Sequence, residues 1–404
     1  MTGVIPFSPP DIHPEDIDAV TSVLRSGWIT SGPVSKEFEN GIANLSGSTG
    51  CLTVSSATTG LEAVLRFLGI GHGDEVIVPA YTYTASASCV AHVGATIVLV
   101  DCAQGEFTPS VDGILAKVTP NTKAIITVDL GGVPFDRRPL IEALTGDSRF
   151  SPSTEVQESL GRVAVIDDAA HSLGSTVGGT GIANNSDFAV FSFHAVKNLT
   201  TAEGGAVVWN PHLPFDADDL YAKLRIDVLH GQSKDALSKM QAGAWEYDIT
   251  HLGYKANMPD VLAALGLSQL SRYEQSLARR ADIVKTYDDN LANSSITSLP
   301  HFFADKTSSY HLYISVLPEG LEGERDRIIQ ALAERGIATN VHYKPLPLLT
   351  AYKNLEFDIN DFPEALARYK RVISLPLHTL LTDADVERLI DEYSSEVINS
   401  ARKS

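Results

Sequence analysis

Phe188-Ala189-Val190-Phe191-Ser192-Phe193-His194-Ala195-Val196-Lys197-Asn198 is the stretch on which the reading of this chain turns. Its opening four residues form a continuous apolar run, as expected of a strand covered on both faces. A lysine follows just past that strand's end. The same kind of run recurs at Glu75-Val76-Ile77-Val78, Thr96-Ile97-Val98-Leu99-Val100, Ala124-Ile125-Ile126-Thr127-Val128, Val163-Ala164-Val165-Ile166 and Gly205-Ala206-Val207-Val208-Trp209. Helical segments are expected at 59–68, 83–92 and 112–116. Strands and helices in this rhythm predict an α/β sheet covered by helices.

Working outward, the Ser-, Thr- and acid-rich segment 145–159 is expected to be an exposed inserted loop. After Asn257-Met258-Pro259-Asp260 the apolar spacing turns helical, through Leu262, Leu265, Leu267 and Leu270 to Leu291, and this one helix is expected to lead into a second lobe. A strand at 311–317, a helix at 323–335 and a final helix at 383–398 follow, the last opening on the capping pattern Thr382-Asp383-Ala384-Asp385. A chain of 404 residues exceeds what one core usually organises. We expect a large domain over 1–265 and a smaller one over 266–404.

Hydrophobic residues make up 44% and charged residues 20%, which suits a packed chain. The formal charge of −19 argues against nucleic acid or anionic lipid as partners, because both need clustered Lys and Arg. Three cysteines, Cys51, Cys89 and Cys102, are too few for a disulfide framework and lack zinc-ligand spacing, so they read as reduced, buried thiols and no metal is expected. No signal peptide or membrane-span pattern is present, and the cytoplasm is the expected location.

Four segments supply the parts of a pyridoxal 5'-phosphate site. Lys197 at a strand end lies where open α/β sheets bind ligands, and desolvation there lowers its pKa enough for Schiff-base chemistry. Ser192, five residues earlier, can reach the cofactor phosphate. In Val165-Ile166-Asp167-Asp168-Ala169-Ala170-His171, a carboxylate at the strand end can pair with the pyridine nitrogen and keep it protonated. Asp168 is assigned that role, while Asp167 finishes the strand or caps the next element, and His171 can bond near the phenolic oxygen. Without the other segments this reads more readily as a turn with a packing histidine. Ser55-Ser56-Ala57-Thr58-Thr59-Gly60 opens a helix whose N–H groups suit a phosphate, although an ordinary N-cap fits as well. Pro79-Ala80-Tyr81-Thr82-Tyr83-Thr84 places an aromatic ring where it can stack on a heterocycle or fill core. Gly69-Ile70-Gly71-His72-Gly73-Asp74 precedes a strand and so reads as a turn, not a dinucleotide loop. GxSxG, HExxH and Walker patterns are absent.

With these segments in this order the chain resembles, almost end to end, the DegT/DnrJ/EryC1/StrS family of nucleotide-sugar aminotransferases. Further markers are Ser26-Gly27-Trp28-Ile29-Thr30-Ser31-Gly32-Pro33, Gly73-Asp74-Glu75-Val76-Ile77-Val78-Pro79, Gly253-Tyr254-Lys255-Ala256-Asn257-Met258 and Ser374-Leu375-Pro376-Leu377-His378. The resemblance implies the aspartate aminotransferase-like fold (type I), with a mixed central sheet in the large domain and a smaller C-terminal α/β domain. It implies that Lys197 holds the cofactor and shuttles the proton, Asp168 binds the pyridine nitrogen and Tyr83 stacks on the ring. Ala57, Thr58 and Ser192 match phosphate-binding positions, and Asn257 matches an asparagine reaching the phosphate from the partner subunit, which implies a homodimer with shared sites. L-glutamate as amino donor, a nucleotide-linked keto sugar as acceptor and ping-pong kinetics follow from the same likeness. The Gly-Trp-Ile-Thr form is most similar to members that aminate C4 of a 4-keto-6-deoxy sugar, which makes Trp28 and Thr30 substrate-binding candidates.

One departure stands out: the pattern beginning His342-Tyr343-Lys344-Pro345 often ends in a second histidine where this chain has Pro347. His342 and Lys344 are candidates for the acceptor or its phosphates, and a solvated loop is an equal reading. A 3-keto sugar or cyclitol ketone would use the same cofactor residues. A sugar dehydratase on this scaffold replaces the lysine with histidine, which Lys197 disfavours, and a non-catalytic sensor would not need lysine, aspartate and phosphate residues together.

Overall fold

Seven strands build the central sheet of the computed structural model, which describes residues 3–233, 246–292 and 295–402. They are β1 (Cys51–Val54), β2 (Glu75–Pro79), β3 (Thr96–Val100), β4 (Thr122–Val128), β5 (Ala164–Asp168), β6 (Phe188–Ser192) and β7 (Gly205–Trp209). Their spatial order is β1-β7-β6-β5-β4-β2-β3. The ladders from β6 through β5, β4 and β2 to β3 are parallel, whereas β7 runs antiparallel to both neighbours. The sheet is therefore mixed, with one reversed strand.

The continuous apolar runs are explained by burial on both faces. Along β5, Val165 packs into a cluster with Ile77, Ile125 and Leu140, while Ile166 packs on the opposite face with Val78, Ile126 and Val190. Successive strand residues point to opposite sides, so both must be apolar wherever helices cover both faces. β1 is absent from the expected strands: it is only four residues long and includes Thr53, yet every residue of it is buried.

The helices that position the site are α1 (Pro14–Ser26), α2 (Pro33–Ser46), α3 (Ala57–Phe67), α4 (Ala85–His92), α5 (Val111–Leu115) and α6 (Glu155–Leu160). The last of these corrects the expectation of a loop over 145–159. Thr154 caps it by accepting from Gln157 N at 3.2 Å, and the buried Gln157 side chain donates to Leu68 O at 3.0 Å. The end of that segment is thus helical and tied down at Thr154 and Gln157, while most of the rest is exposed as expected.

The long helix expected through 262–291 is two helices, α7 (Asp260–Leu270) and α8 (Tyr273–Leu291). The last turn of α7 tightens to i−3 bonds, Ser271 N to Ser268 O and Arg272 N to Gln269 O. Arg272 then leaves helical geometry at φ −116°, and its guanidinium pairs with the buried Asp16 of α1. Along α8 the chain changes cores: Tyr273 belongs with the sheet's cluster, whereas Ile283, Val284 and Tyr287 join a second one. That second core includes β9 (Tyr313–Val316) and β10 (Val372–Leu375), which pair antiparallel with each other, as does β8 (Thr297–Ser298) with β9. α9 (Arg325–Glu334) and α10 (Asp383–Ala401) cover it. At the start of α10 the expected box forms, Thr382 accepting from Asp385 N and Asp385 from Thr382 N, each at 3.1 Å.

Candidate active site

Asp167 and Asp168 are the last two residues of β5, so the pleat sends them to opposite faces. Asp167 turns toward Arg137. That guanidinium, fully buried, also bonds Asp129 Oδ1 at 2.7 Å and Thr127 Oγ1 at 2.5 Å. Burial and the neighbouring Asp129 push the Asp167 carboxyl well above the usual range, against the pull of Arg137.

Asp168 faces the other way, into the region around Lys197. Ser86 donates its hydroxyl to Asp168 Oδ2 at 2.6 Å, and Ala170 N–H reaches Oδ1 at 3.3 Å. Burial pushes the Asp168 carboxyl up, opposed by Ser86, by the Ala170 N–H and by the charge of Lys197.

Lys197 lies in a loop closed on itself. Phe193 N donates to Gly204 O, Thr201 N to Phe193 O and Lys197 N to His194 O, each at 2.9 Å. Thr200 N is anchored on the Gln269 side chain at 2.9 Å, and the Asn198 amide donates to Ser309 O at 2.7 Å. The ammonium is pushed down to about 8, burial outweighing the favourable charge of Asp168. A lysine so poised supplies free amine near neutral pH.

Three histidines surround it, and burial keeps all three below the ordinary range. His342 is pushed down to about 4 by burial and then by Lys197, and burial first also holds His311 and His171 well below the usual range. His342 bonds Ser374 Oγ through Nδ1 at 2.8 Å and stacks on Phe7. Asp168 is accordingly the carboxylate whose charge acts on Lys197. His171, expected near a phenolic oxygen, has both nitrogens engaged: Gly131 N–H donates to Nδ1 at 3.1 Å, and Nε2 meets Tyr343 Oη at 3.0 Å.

The first turn of α3 forms an anion cradle. Ser56 caps the helix by accepting from Thr59 N at 3.2 Å, and the N–H groups of Ala57 and Thr58 have no acceptor among the described residues. Gly205 lets that turn approach β7, since a Cβ there would stand 2.6 Å from Ala57 N. Ser192 Oγ ends β6 with only a 3.4 Å contact from His194 N. Tyr83 is 59% exposed, so one face of its ring is open, with Tyr343 alongside at 5.8 Å between centroids. Lysine, isolated carboxylate, unpaired N–H groups and open aromatic face suit the aldehyde, pyridine nitrogen, phosphate and ring of pyridoxal phosphate.

Thr30 and Asn257 lie on the β1 side of the first turn of α3, Asn257 bridging Val54 and Ser55 N donating to Ala256 O at 2.7 Å. They line a cavity of about 300 Å³ with Ser31, Lys36 and Glu39, whose walls include none of Lys197, Asp168, Tyr83 or His171. Asp260 pins this region by accepting from Gly32 N at 2.8 Å and Ser35 N at 2.9 Å, which caps α2. The Asn257 amide donates to Ser31 Oγ at 2.5 Å. Trp28 packs flush on Gly32, where a Cβ would sit 1.9 Å from its Nε1. Lys344 is exposed.

Sequence reading missed Ser86, Arg137 and Tyr343. Ser86 sits in the first turn of α4, where it bonds Thr82 Oγ1 at 3.0 Å; nothing local marked any of the three. Cys51, Cys89 and Cys102 are free and buried. Among the described residues no group of three His, Cys, Asp or Glu could hold a metal ion, and no helix is long and apolar enough to cross a membrane.

Residues 10–394 match the sequence model of the DegT/DnrJ/EryC1/StrS aminotransferase family. Among solved structures, Spr1654 from Streptococcus pneumoniae, a protein assigned as a sugar aminotransferase, is similar in its PMP form at 47% identity and TM-score 0.95, over 98% of this chain and 100% of that one. Its PLP form is similar at 45% identity and TM-score 0.95, over 98% and 99% of the two chains. Helicobacter pylori PseC, an aminotransferase involved in the biosynthesis of pseudoaminic acid, is similar at 26% identity and TM-score 0.86, over 98% and 100%.

Proposed function

The chain belongs to the DegT/DnrJ/EryC1/StrS aminotransferase family and is a pyridoxal-phosphate-dependent sugar aminotransferase of fold type I; from that premise we propose that it moves the amino group of L-glutamate to a nucleotide-linked 4-keto-6-deoxy hexose. The single observation that supports the catalytic side best is the convergence of Lys197, His171 and Ser192 on one pocket beside the buried Asp168, whose Oδ2 Ser86 holds at 2.6 Å. When bound, the cofactor supplies an aldehyde that carries the amino group and a ring that accepts the electrons of a broken C–H bond.

The chain's own residues do the rest. In this reading Lys197 holds the cofactor and, once released, takes the proton from the donor's Cα and delivers it to the cofactor carbon. Asp168, its Oδ2 tied by Ser86, offers Oδ1 to the pyridine nitrogen. Ala57 and Thr58 N–H groups with Ser192 Oγ hold the phosphate, Tyr83 covers the ring, and His171 supports its phenolic side. The keto sugar then enters the same site and the steps run in reverse. His342 stands close enough to Lys197 for that charge to lower its pKa, and with Lys344 it is assigned to the acceptor.

Asn257 and Thr30 line a cavity whose walls lack Lys197 and Asp168, although Asn257 itself bridges Val54 just ahead of the Ser55–Gly60 turn. By the family pattern we assign Asn257 to the partner's phosphate in a homodimer, with Thr30 and Trp28 flanking the acceptor. The second core, from Ile283 onward, supports a division into lobes over 1–265 and 266–404, and three free buried thiols fit a reducing cytoplasm.

The test is to incubate purified holoenzyme with L-glutamate and, in turn, nucleoside-diphosphate 4-keto-6-deoxy hexoses, 3-keto sugars and cyclitol ketones. Equal amounts of 2-oxoglutarate and a 4-amino nucleotide sugar are expected. A preference for a cyclitol ketone or a 3-keto sugar overturns the acceptor assignment.

A further inference from the structure

We propose that Tyr343, oriented by His171, is the residue that donates a hydrogen bond to the phenolic oxygen of pyridoxal phosphate. This rests on the cofactor placement beside Lys197 and Asp168 proposed above, and it gives His171 a different part from the one its position in the sequence suggested.

The argument begins at Gly131. Its backbone N–H donates to His171 Nδ1 at 3.1 Å, and a ring nitrogen that accepts cannot carry the proton of a neutral imidazole. Burial first, then the charges of Lys197 and His342, keep His171 neutral. The proton therefore sits on Nε2, and that N–H donates to Tyr343 Oη at 3.0 Å. His171 has no second donor to offer. Its flank is closed by the His311 ring, with centroids 4.4 Å apart.

Tyr343, by contrast, has accepted one bond and still holds its own hydroxyl proton. Among the described residues His171 is the hydrogen-bond partner of Tyr343 Oη. Its ring lies against that of the exposed Tyr83 at 5.8 Å and 41°. Burial and the Asp168 charge raise its pKa, so it remains a donor across the working range. The hydroxyl is thus locked on one side by a fixed N–H and free on the side of the cofactor ring.

A hydrogen bond donated to an ionised phenolic oxygen draws charge from it. The nitrogen joining Lys197 to the cofactor is then less stabilised in its protonated form and loses its proton at lower pH. Tyr343 so tunes the pH at which that nitrogen is charged. His171 is a positioning residue that acts through it.

The test is a pH titration of the holoenzyme's visible absorbance. Tyr343→Phe is expected to keep the cofactor while moving the midpoint upward by about one to two pH units. His171→Asn should move it in the same direction by less, and the double variant no further than Tyr343→Phe alone. An unmoved midpoint in Tyr343→Phe overturns the proposal, as does a double-variant shift equal to the sum, which assigns the contact to His171 itself. Should Tyr343→Phe not fold, ¹⁵N NMR of histidine-labelled native holoenzyme decides: Nε2-protonated His171 is expected, and an Nδ1-protonated ring contradicts it. Lysine-linked absorbance that survives Lys197→Ala would instead fault the cofactor placement.

Discussion

Ser86 donates its hydroxyl to Asp168 Oδ2 at 2.6 Å across 82 residues of chain, and both side chains are buried. On the cofactor placement proposed above, the bond leaves Oδ1 as the oxygen that would meet the pyridine nitrogen. A hydrogen bond to a charged partner contributes about 1.5–3 kcal/mol, so Ser86→Ala should lower kcat roughly 10- to 100-fold with little change in the KM for glutamate. Ser86→Thr should restore most of it. Steady-state kinetics on the three proteins checks this, and a change confined to KM would contradict it.

Lys197 titrates near 8 in the fold instead of 10.5, chiefly through burial. Between those values the unfolded chain binds the proton more readily, so this group makes stability rise with pH, and its destabilising effect is complete below about 8. In cofactor-free protein, Lys197→Met should therefore stabilise by on the order of 2 kcal/mol at about pH 7. The gain should vanish above the unfolded value. Urea denaturation at the two pH values measures it; an equal gain at both would exclude the charge as its cause.

Arg137 lies fully buried between Asp129 and Asp167. Removing it strands two carboxylates, and breaking such a buried pair costs about 3–5 kcal/mol. Arg137→Met should lose stability on that scale, and Asp167→Asn distinctly less, because Arg137 keeps Asp129 as its partner. Denaturation midpoints check the ranking. The reverse order would contradict the shared-guanidinium account.

If Asn257 acts across a dimer, Asn257→Asp and Lys197→Ala damage different sites of a mixed pair. Each homodimer should be nearly inactive, while co-refolded mixtures regain about a quarter of native activity. Recovery no greater than the two parents' average would place Asn257 in its own chain's site.

Much of this was legible from residue patterns because the signals were local. The strands showed as apolar runs, since both sheet faces are covered, and Lys197 and Asp168 showed as strand-end residues of neighbouring strands. β1 was too short and too polar at Thr53 to stand out. At the break between α7 and α8, Arg272 pairs with Asp16 on α1, a partner far away in sequence. Arg137 and Tyr343 declare themselves only through contacts, Arg137 with Asp167 across 30 residues and Tyr343 with His171 across 172. The one-helix expectation failed because apolar spacing records which face is buried, not whether the axis continues.

The central claim is that Lys197 carries the cofactor. Holoenzyme reduced with borohydride, digested and sequenced by mass spectrometry should bear the pyridoxyl label on the peptide containing Lys197, and prior treatment with L-glutamate should remove that labelling. Label on Lys255, Lys344 or any other lysine, or labelling at Lys197 that glutamate leaves unchanged, would contradict it.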